Sequence, residues 1–280
     1  MIGYPSKLVI FTDLDGTLLD PVTYSYDKAL PSLEYLLQKG IPIVFCSAKT
    51  RAEQEVYRQE LGIPDPFIVE NGGAIFIPQG YFPFSFDYHK ARGAYQIIEL
   101  GRPYHEIRQV IGQIRAREVG MNFRGFGDMS VEEVAAETGL DPEAAQRAKE
   151  REYDETVKLE GTPEEIERVM NAIKKAGLNC AHGGRYYDIM GANDKGKATA
   201  ILTDLFHKKL GQVETVGIGD SPNDLPMLST VDIPILVQKP GEWWEEMDLP
   251  NLSRVKGVGP EGWSQAIKEL TDKIGADKNG

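Results

Sequence analysis

Apolar and polar positions change their period several times along the chain. Leu8 to Phe11 is a short, partly β-branched apolar run, which predicts a buried strand. Leu30, Leu33, Leu36 and Leu37 then form one stripe at helical spacing, and Gly40 stands where a helix would stop. "IPIVFCSAKT" predicts a second buried strand that turns polar at Ser47, and residues 51–61 a helix. "PFIVENGGAIFI" predicts two short strands around Asn71, Gly72 and Gly73. Strands alternating with helices predict parallel βαβ units, hence an α/β fold with a doubly wound parallel sheet.

The texture then changes. "PQGYFPFSFDYHKARG" is irregular and aromatic and reads as a linker into a second domain. "YQIIEL" predicts a strand, and Ile107, Val110, Ile111 and Ile114 a helical stripe. Ser130 with Glu133, and Thr162-Pro163 with Glu165, have the spacing of capping boxes. The second box opens a helix with Ile166, Val169, Met170 and Ile173 on its core face, closed by Gly177. "EYDETVKLEG" between the two boxes predicts another strand. Ala198, Ile201, Leu202 and Leu205 mark a later helix, and "VETVGIGDSPNDLPML" a strand, a turn and a helix start. A last helix is expected near residues 262–273. The expected organisation is a core of residues 1–82 and 190–280, with an inserted α+β cap spanning 83–189.

Composition narrows the function. At 280 residues the chain can bury a substantial core, and its net charge of -12 argues against nucleic acid or an anionic membrane as partner. Cys46 and Cys180 lack metal-ligand spacing and read as reduced thiols. With no apolar run of membrane-spanning length and no signal-peptide form, the expectation is a cytoplasmic protein.

Against that background the paired acids stand out. Asp13 and Asp15, two apart in an extended segment, can face one site beyond the strand's C-terminal end, where open α/β sheets bind ligands. Asp220 and Asp224 share one face of a helical turn at a second strand end. Converging acids repel, and a hard divalent cation relieves that; oxygen donors with few histidines favour Mg²⁺. Ser47 and Lys49 after the second strand, and Lys195 in "NDKGKA" at a helix start, supply what a phosphate needs. Lys195 and Lys197 are not separable by chemistry alone, and Asp224 suits helix capping as well as ligation.

"DLDGT", "CSAKT", "DKGKA" and "GDSPND", in this order, resemble the four motifs of the haloacid-dehalogenase (HAD) superfamily of phosphotransferases. The segment inserted between the second and third resembles the large cap of its sugar-phosphatase branch on a Rossmann-like core. The resemblance implies Asp13 as nucleophile, Asp15 as general acid and base, and Ser47 and Lys195 on the phosphoryl oxygens. It also implies Mg²⁺ held by the Asp13 carboxylate, the Asp15 carbonyl and Asp220, with Asp224 ligating directly or orienting metal-bound water. The stretches "SAKTRAEQEVYRQELG", "REYDETV" and "GGRYYDIMGANDKGKA" are similar to the mannosyl-3-phosphoglycerate phosphatase family; glucosyl-3-phosphoglycerate and sucrose-phosphate phosphatases share parts of the pattern.

A small anionic sugar phosphate bearing a carboxylate calls for a second cationic contact. Lys49, Arg51, Arg151 and Arg185 are candidates, with Asn71, Gly72, Asp154, Glu155, Gly183 and Gly184 able to meet hydroxyls or admit close backbone. The cap is expected to close over bound substrate. A phosphosugar mutase and a non-catalytic binding module on the same fold are the competing readings.

Overall fold

In the computed structural model, which describes residues 7–117, 123–183 and 185–276, the chain opens on β1 (Lys7–Thr12). It continues through α1 (Leu30–Gln38), β2 (Ile43–Phe45), α2 (Arg51–Glu60), β3 (Phe67–Val69), β4 (Ala74–Pro78), β5 (Lys90–Arg92) and β6 (Tyr95–Glu99). The inserted part follows as α3 (Tyr104–Arg117), β7 (Arg124–Gly125), α4 (Val131–Thr138), α5 (Pro142–Ala148), β8 (Asp154–Lys158), α6 (Pro163–Lys175), β9 (Asn179–His182) and β10 (Tyr187–Met190). The chain then returns through α7 (Lys195–Leu210), β11 (Val213–Gly219), α8 (Leu225–Leu228), β12 (Ile233–Gln238), β13 (Ser253–Val258) and α9 (Pro260–Ala276).

The central sheet runs β13-β12-β11-β1-β2, all parallel. Leu8 and Ile10 of β1 pack with Leu33 and Leu36 of α1 and Trp263 and Ile267 of α9 on one face. Val9 and Phe11 pack with Ala198, Leu202 and Phe206 of α7 on the other. Helices on both faces explain why β1 is continuously apolar rather than alternating. Each such side chain, fully buried, contributes roughly 1.5–3 kcal/mol. Register decides where the chemistry falls. Thr12 lies opposite Ile218 on one side and Phe45 on the other, so β1, β2 and β11 end at one edge. There the buried Trp263 donates its indole N–H to Thr12 Oγ1 at 3.0 Å.

A single bridge, Cys46 to Ile68, carries the parallel arrangement on to β3. β3 and β4 then form an antiparallel hairpin, because residues 70–73 between them are too few for a crossover. β6 and β5 extend that sheet in the order β3-β4-β6-β5. The aromatic stretch is no spacer: Phe82 is buried against Phe206, with Tyr81, Phe84 and Phe86 packed around the same layer. The division expected at residue 83 therefore falls ahead of two strands that are hydrogen-bonded into the β4 sheet.

The cap carries an antiparallel sheet, β7-β8-β10-β9, whose Val157 and Ile189 pack on Ile107 and Ile111 of α3 and Val169 and Ile173 of α6. Both capping boxes form: Ser130 Oγ accepts from Glu133 N at 3.2 Å, and Thr162 Oγ1 from Glu165 N at 3.3 Å. α4 and α5 share a small core of Phe126, Val134, Ala145 and Ala148. β9 and β10 carry no strand signal in the sequence: β9 is partly exposed, and β10, buried from Asp188 to Met190, is only four residues long and includes a carboxylate. Among the described residues no helix is long and apolar enough to cross a membrane.

Candidate active site

The level strand ends deliver the site, β1 and β11 the acids and β2 Ser47. Asp13, directly after β1, is held by its N–H on Ile218 O at 2.9 Å and is buried. The chain then reverses through Gly16 at φ +77°, where a β-carbon would stand 2.9 Å from Asp220 Oδ2. Glycine is required twice at this position, for its backbone angle and for the space it leaves Asp220. Asp220 accepts from the Thr17 hydroxyl at 3.3 Å and the Ser221 hydroxyl at 2.9 Å. Asp224 shapes the same loop, its Oδ2 accepting from the N–H groups of Asp220 and Ser221, each at 3.0 Å.

Lys195 is the first residue of α7, capped by Asp194, whose Oδ1 accepts from Lys197 N at 2.9 Å. Its fully buried ammonium bridges Asp13 Oδ1 at 2.7 Å and Asp224 Oδ1 at 2.6 Å. Burial alone would lower the Lys195 pKa, but Asp13 and Asp224 outweigh it and hold the value above the ordinary one. Lys197 lies outside the cluster, exposed and donating to Ala192 O.

Asp13, Asp220 and Asp224 offer oxygens within 4.8 Å of one another. Burial, then Asp224, pushes Asp13 up to about 8 against the pull of Lys195. The same two causes push Asp220 up to about 7. Lys195, with Lys239 at 3.9 Å from Asp220, still does not balance three acids. An all-oxygen, over-negative donor set is what a hard divalent cation fits, although both Asp224 oxygens already accept hydrogen bonds.

Asp15 faces the cleft from the other side of the turn, with 46% of its side chain open. Its Oδ2 meets Lys49 Nζ at 3.1 Å, and Lys49 also meets Glu53 at 3.2 Å. The rings of Tyr24 and Tyr57 flank that ammonium at 5.0 and 5.9 Å. The protein packed around Asp15 raises its pKa, with Lys49 opposing and Glu53 adding. Ser47 is buried at the end of β2, its N–H on Ile68 O at 3.2 Å, and lines the cavity with Asp13 and Asp15.

The other candidates disperse. Arg51 is engaged elsewhere, with Glu55 at 2.5 Å and Glu152 at 3.3 Å. The Asn71 amide is taken up by Asp154, Asp188 and Asn223. Gly72, at φ +85°, lies where a β-carbon would meet Asp194 O at 2.1 Å, so its role is close backbone approach. Arg151 lines the cavity, pairs with Asp154 and donates to Ala48 O at 3.2 Å. Arg185 donates to Glu137 O at 2.9 Å and lies over the ring of Tyr186, itself a cavity residue. Asp154 serves Arg151, and the buried Glu155 accepts from Tyr104 at 2.7 Å and Gly127 N at 2.9 Å, so both are occupied structurally. Gly183 lines the cavity, while Gly184 lies outside the described residues.

Residues 10–239 match the haloacid dehalogenase-like hydrolase family. The chain belongs to that family. It is 50% identical over 269 residues (95% of this chain, 98% of the relative) to a glucosyl-3-phosphoglycerate/mannosyl-3-phosphoglycerate phosphatase from Methanococcoides burtonii. It is 43% identical over 253 residues (89% and 97%) to the mannosyl-3-phosphoglycerate phosphatase of Pyrococcus furiosus. Among solved structures, the sucrose-phosphatase of Synechocystis sp. PCC6803 in complex with sucrose and phosphate shares the fold, with TM-score 0.64 at 15% identity over 95% of this chain and 98% of that one.

Several groups at this hydrolase site had no sequence signal strong enough to single them out. Glu53 was legible only as a carboxylate four residues from Lys49. Tyr24 enters from a loop in the left-handed region (φ +58°), which its residue type does not foretell. Asp188 and Thr156 of the cap strands line the cavity together, joined Oδ1 to hydroxyl at 2.7 Å.

Proposed function

We propose that this hydrolase is a Mg²⁺-dependent phosphatase that releases phosphate and mannosylglycerate from mannosyl-3-phosphoglycerate. The observation that carries the reading is the pairing of a Lys195-held Asp13 with a half-open, Lys49-held Asp15 in one cavity roofed by the cap. Asp13 attacks phosphorus as the bond from phosphorus to the glycerate 3-oxygen breaks, giving an aspartyl-phosphate and leaving mannosylglycerate. Asp15 delivers its proton to the departing oxygen and then takes one from the water that hydrolyses the intermediate, restoring Asp13. Ser47 and Lys195 hold the phosphoryl oxygens, and Lys49 holds Asp15 at its station. A Mg²⁺ bound by Asp13, the Asp15 carbonyl and Asp220, with Asp224 fixing the loop, would neutralise the acids and the transferring phosphoryl group.

Arg151, which lines the cavity, and Arg185, which lies over the ring of the lining Tyr186, are assigned the glycerate carboxylate. The net charge of -12 suits a small anionic substrate drawn to a local cationic site rather than nucleic acid or membrane. Two free cysteines suit the reducing cytoplasm. The relative named for both the glucosyl and the mannosyl compound favours a second reading in which both sugars are accepted.

The test is phosphate release with Mg²⁺ from mannosyl-3-phosphoglycerate, glucosyl-3-phosphoglycerate, sucrose 6-phosphate and mannose 1-phosphate, with Asp13→Asn as control. Preference for the mannosyl compound, lost in the variant, is the expected result. Equal rates on the two phosphoglycerates select the dual reading. Release from neither phosphoglycerate overturns the substrate assignment.

A further inference from the structure

We propose that the turn Glu70–Asn71–Gly72 is a positioning device that ties docking of the cap to alignment of the catalytic loops. Three consecutive residues there take left-handed backbone angles, φ +47°, +53° and +85°. For the first two, which carry β-carbons, this conformation is unfavourable and persists only where surrounding contacts enforce it.

Those contacts reach three of the loops that carry the chemistry, those of Ser47 and Lys49, of Lys195, and of Asp220 and Asp224. Glu70 N donates to Lys49 O at 3.2 Å, and Asn71 N to Ser47 O at 3.1 Å. Asn193, two residues before Lys195, donates from Nδ2 to Glu70 O at 3.4 Å and Asn71 O at 3.3 Å. Gly72 is packed against the carbonyl of Asp194. The side chains point the other way, into the cap. The buried Glu70 carboxylate accepts from the N–H groups of Glu152, Tyr153 and Asp154, at 2.9, 2.6 and 3.0 Å for Oε2.

Asn71 joins the two sets. Its Nδ2 donates to Asp188 Oδ2 at 2.9 Å and Asp154 Oδ2 at 3.3 Å, which fixes the amide's orientation, because two carboxylates require a donor. Its Oδ1 accepts from Nδ2 of Asn223 at 3.1 Å. Asn223 adjoins Asp224, the residue that holds both Lys195 and the Asp220 loop. One amide thus connects the cap's cavity wall to the acid cluster. Asn71 is therefore a positioning residue, not a substrate contact.

The kinetic half of the test rests on the phosphatase reading; the exchange half does not. Asn71→Gly keeps the left-handed angle and removes the amide, and Asn71→Asp keeps the size while turning the donor into a third acid. Amide hydrogen exchange of residues 152–158 and 219–225 should quicken together in both variants, on the order of 10-fold. On mannosyl-3-phosphoglycerate kcat should fall by a similar factor while KM moves by less than about threefold. Faster exchange in only one segment, or in neither, overturns the coupling. A raised KM at unchanged kcat overturns it too, making Asn71 a substrate contact. If the unmodified protein releases no phosphate from any compound, the functional reading fails while exchange still decides whether the turn links cap and loop.

Discussion

Replacing Lys49 tests the acid–base assignment most directly. Its ammonium is 6% exposed and stands 3.1 Å from Asp15 and 3.2 Å from Glu53. Unit charges at that separation attract by about 1.3 kcal/mol in water and about 5 kcal/mol at an effective dielectric of 20. Asp15 is 46% exposed, so solvent screening reduces the working value to roughly 1–3 kcal/mol. Converted to rate, that is roughly 5- to 150-fold on a step that depends on Asp15's placement. Lys49→Met alone strands the buried Glu53, a defect of about 3–5 kcal/mol against a total stability of about 5–15 kcal/mol. Adding Glu53→Gln removes that charge and keeps the fold in hand.

The assay is pre-steady-state phosphoryl transfer, with substrate in excess, from mannosyl-3-phosphoglycerate and from p-nitrophenyl phosphate, whose leaving group departs without a proton. The double variant should transfer from mannosyl-3-phosphoglycerate roughly 10- to 100-fold more slowly. It should still give a full burst of nitrophenolate followed by slow turnover, because the second step needs Asp15 to activate water. Equal slowing of both first steps would refute the reasoning. A raised KM with unchanged transfer would instead assign Lys49 to substrate binding.

Two further outcomes follow from the acid cluster. Gly16→Ala places a β-carbon 2.9 Å from Asp220 Oδ2 at φ +77°, so it should destabilise by about 1–2 kcal/mol and lower Mg²⁺ affinity. Calorimetric Mg²⁺ titration checks this, and unchanged affinity would sink the role given to Gly16. Asp13 (about 8) and Asp220 (about 7) are raised above the ordinary 3.8, so each keeps a proton when folded that it loses when unfolded. The metal-free protein should therefore lose stability as pH rises from about 4 to 8, by at most about 1.4 kcal/mol per pH unit for each carboxyl. Carboxyls held low, such as Asp128 beside Arg115 and Arg108, change stability only below that window. Mg²⁺ should add most protection at its alkaline end; Tm rising from pH 5 to 8 in chelator would contradict the assignment.

The parts of this site legible in the sequence are those encoded by neighbours in the chain. β1 with Asp13, and β11 with Asp220, announce themselves because a strand buried on both faces must be apolar and its end must not be. The capping boxes at Ser130 and Thr162 were readable for the same local reason. What escaped depends on distant partners. Glu70 looked like any loop glutamate, yet the backbone groups it binds are 82 to 84 residues away. Chemistry alone did not rank Lys195 above Lys197, since only the fold buries one between two acids and exposes the other. Asn71 and Arg51 suit substrate contact by residue type, yet the structure gives their donors to carboxylates. The parallel pattern broke off at β3 because connection length, not strand composition, dictates a hairpin.

Trp263 gives the enzyme an optical reporter. Its indole N–H is bonded to the Thr12 hydroxyl, one residue before Asp13, and the ring is sealed from solvent among β1, α1 and α9. A collisional quencher reaches Trp243, which is 49% exposed, and leaves Trp263 emitting. In a Trp244→Phe variant, which removes the partly buried indole bonded to Val255 O at 3.1 Å, the emission that survives quenching comes from a fluorophore hydrogen-bonded at the root of the nucleophile's strand. A change in that emission on adding Mg²⁺ would report loading of the acid cluster without turnover, and unchanged emission would separate Trp263 from it.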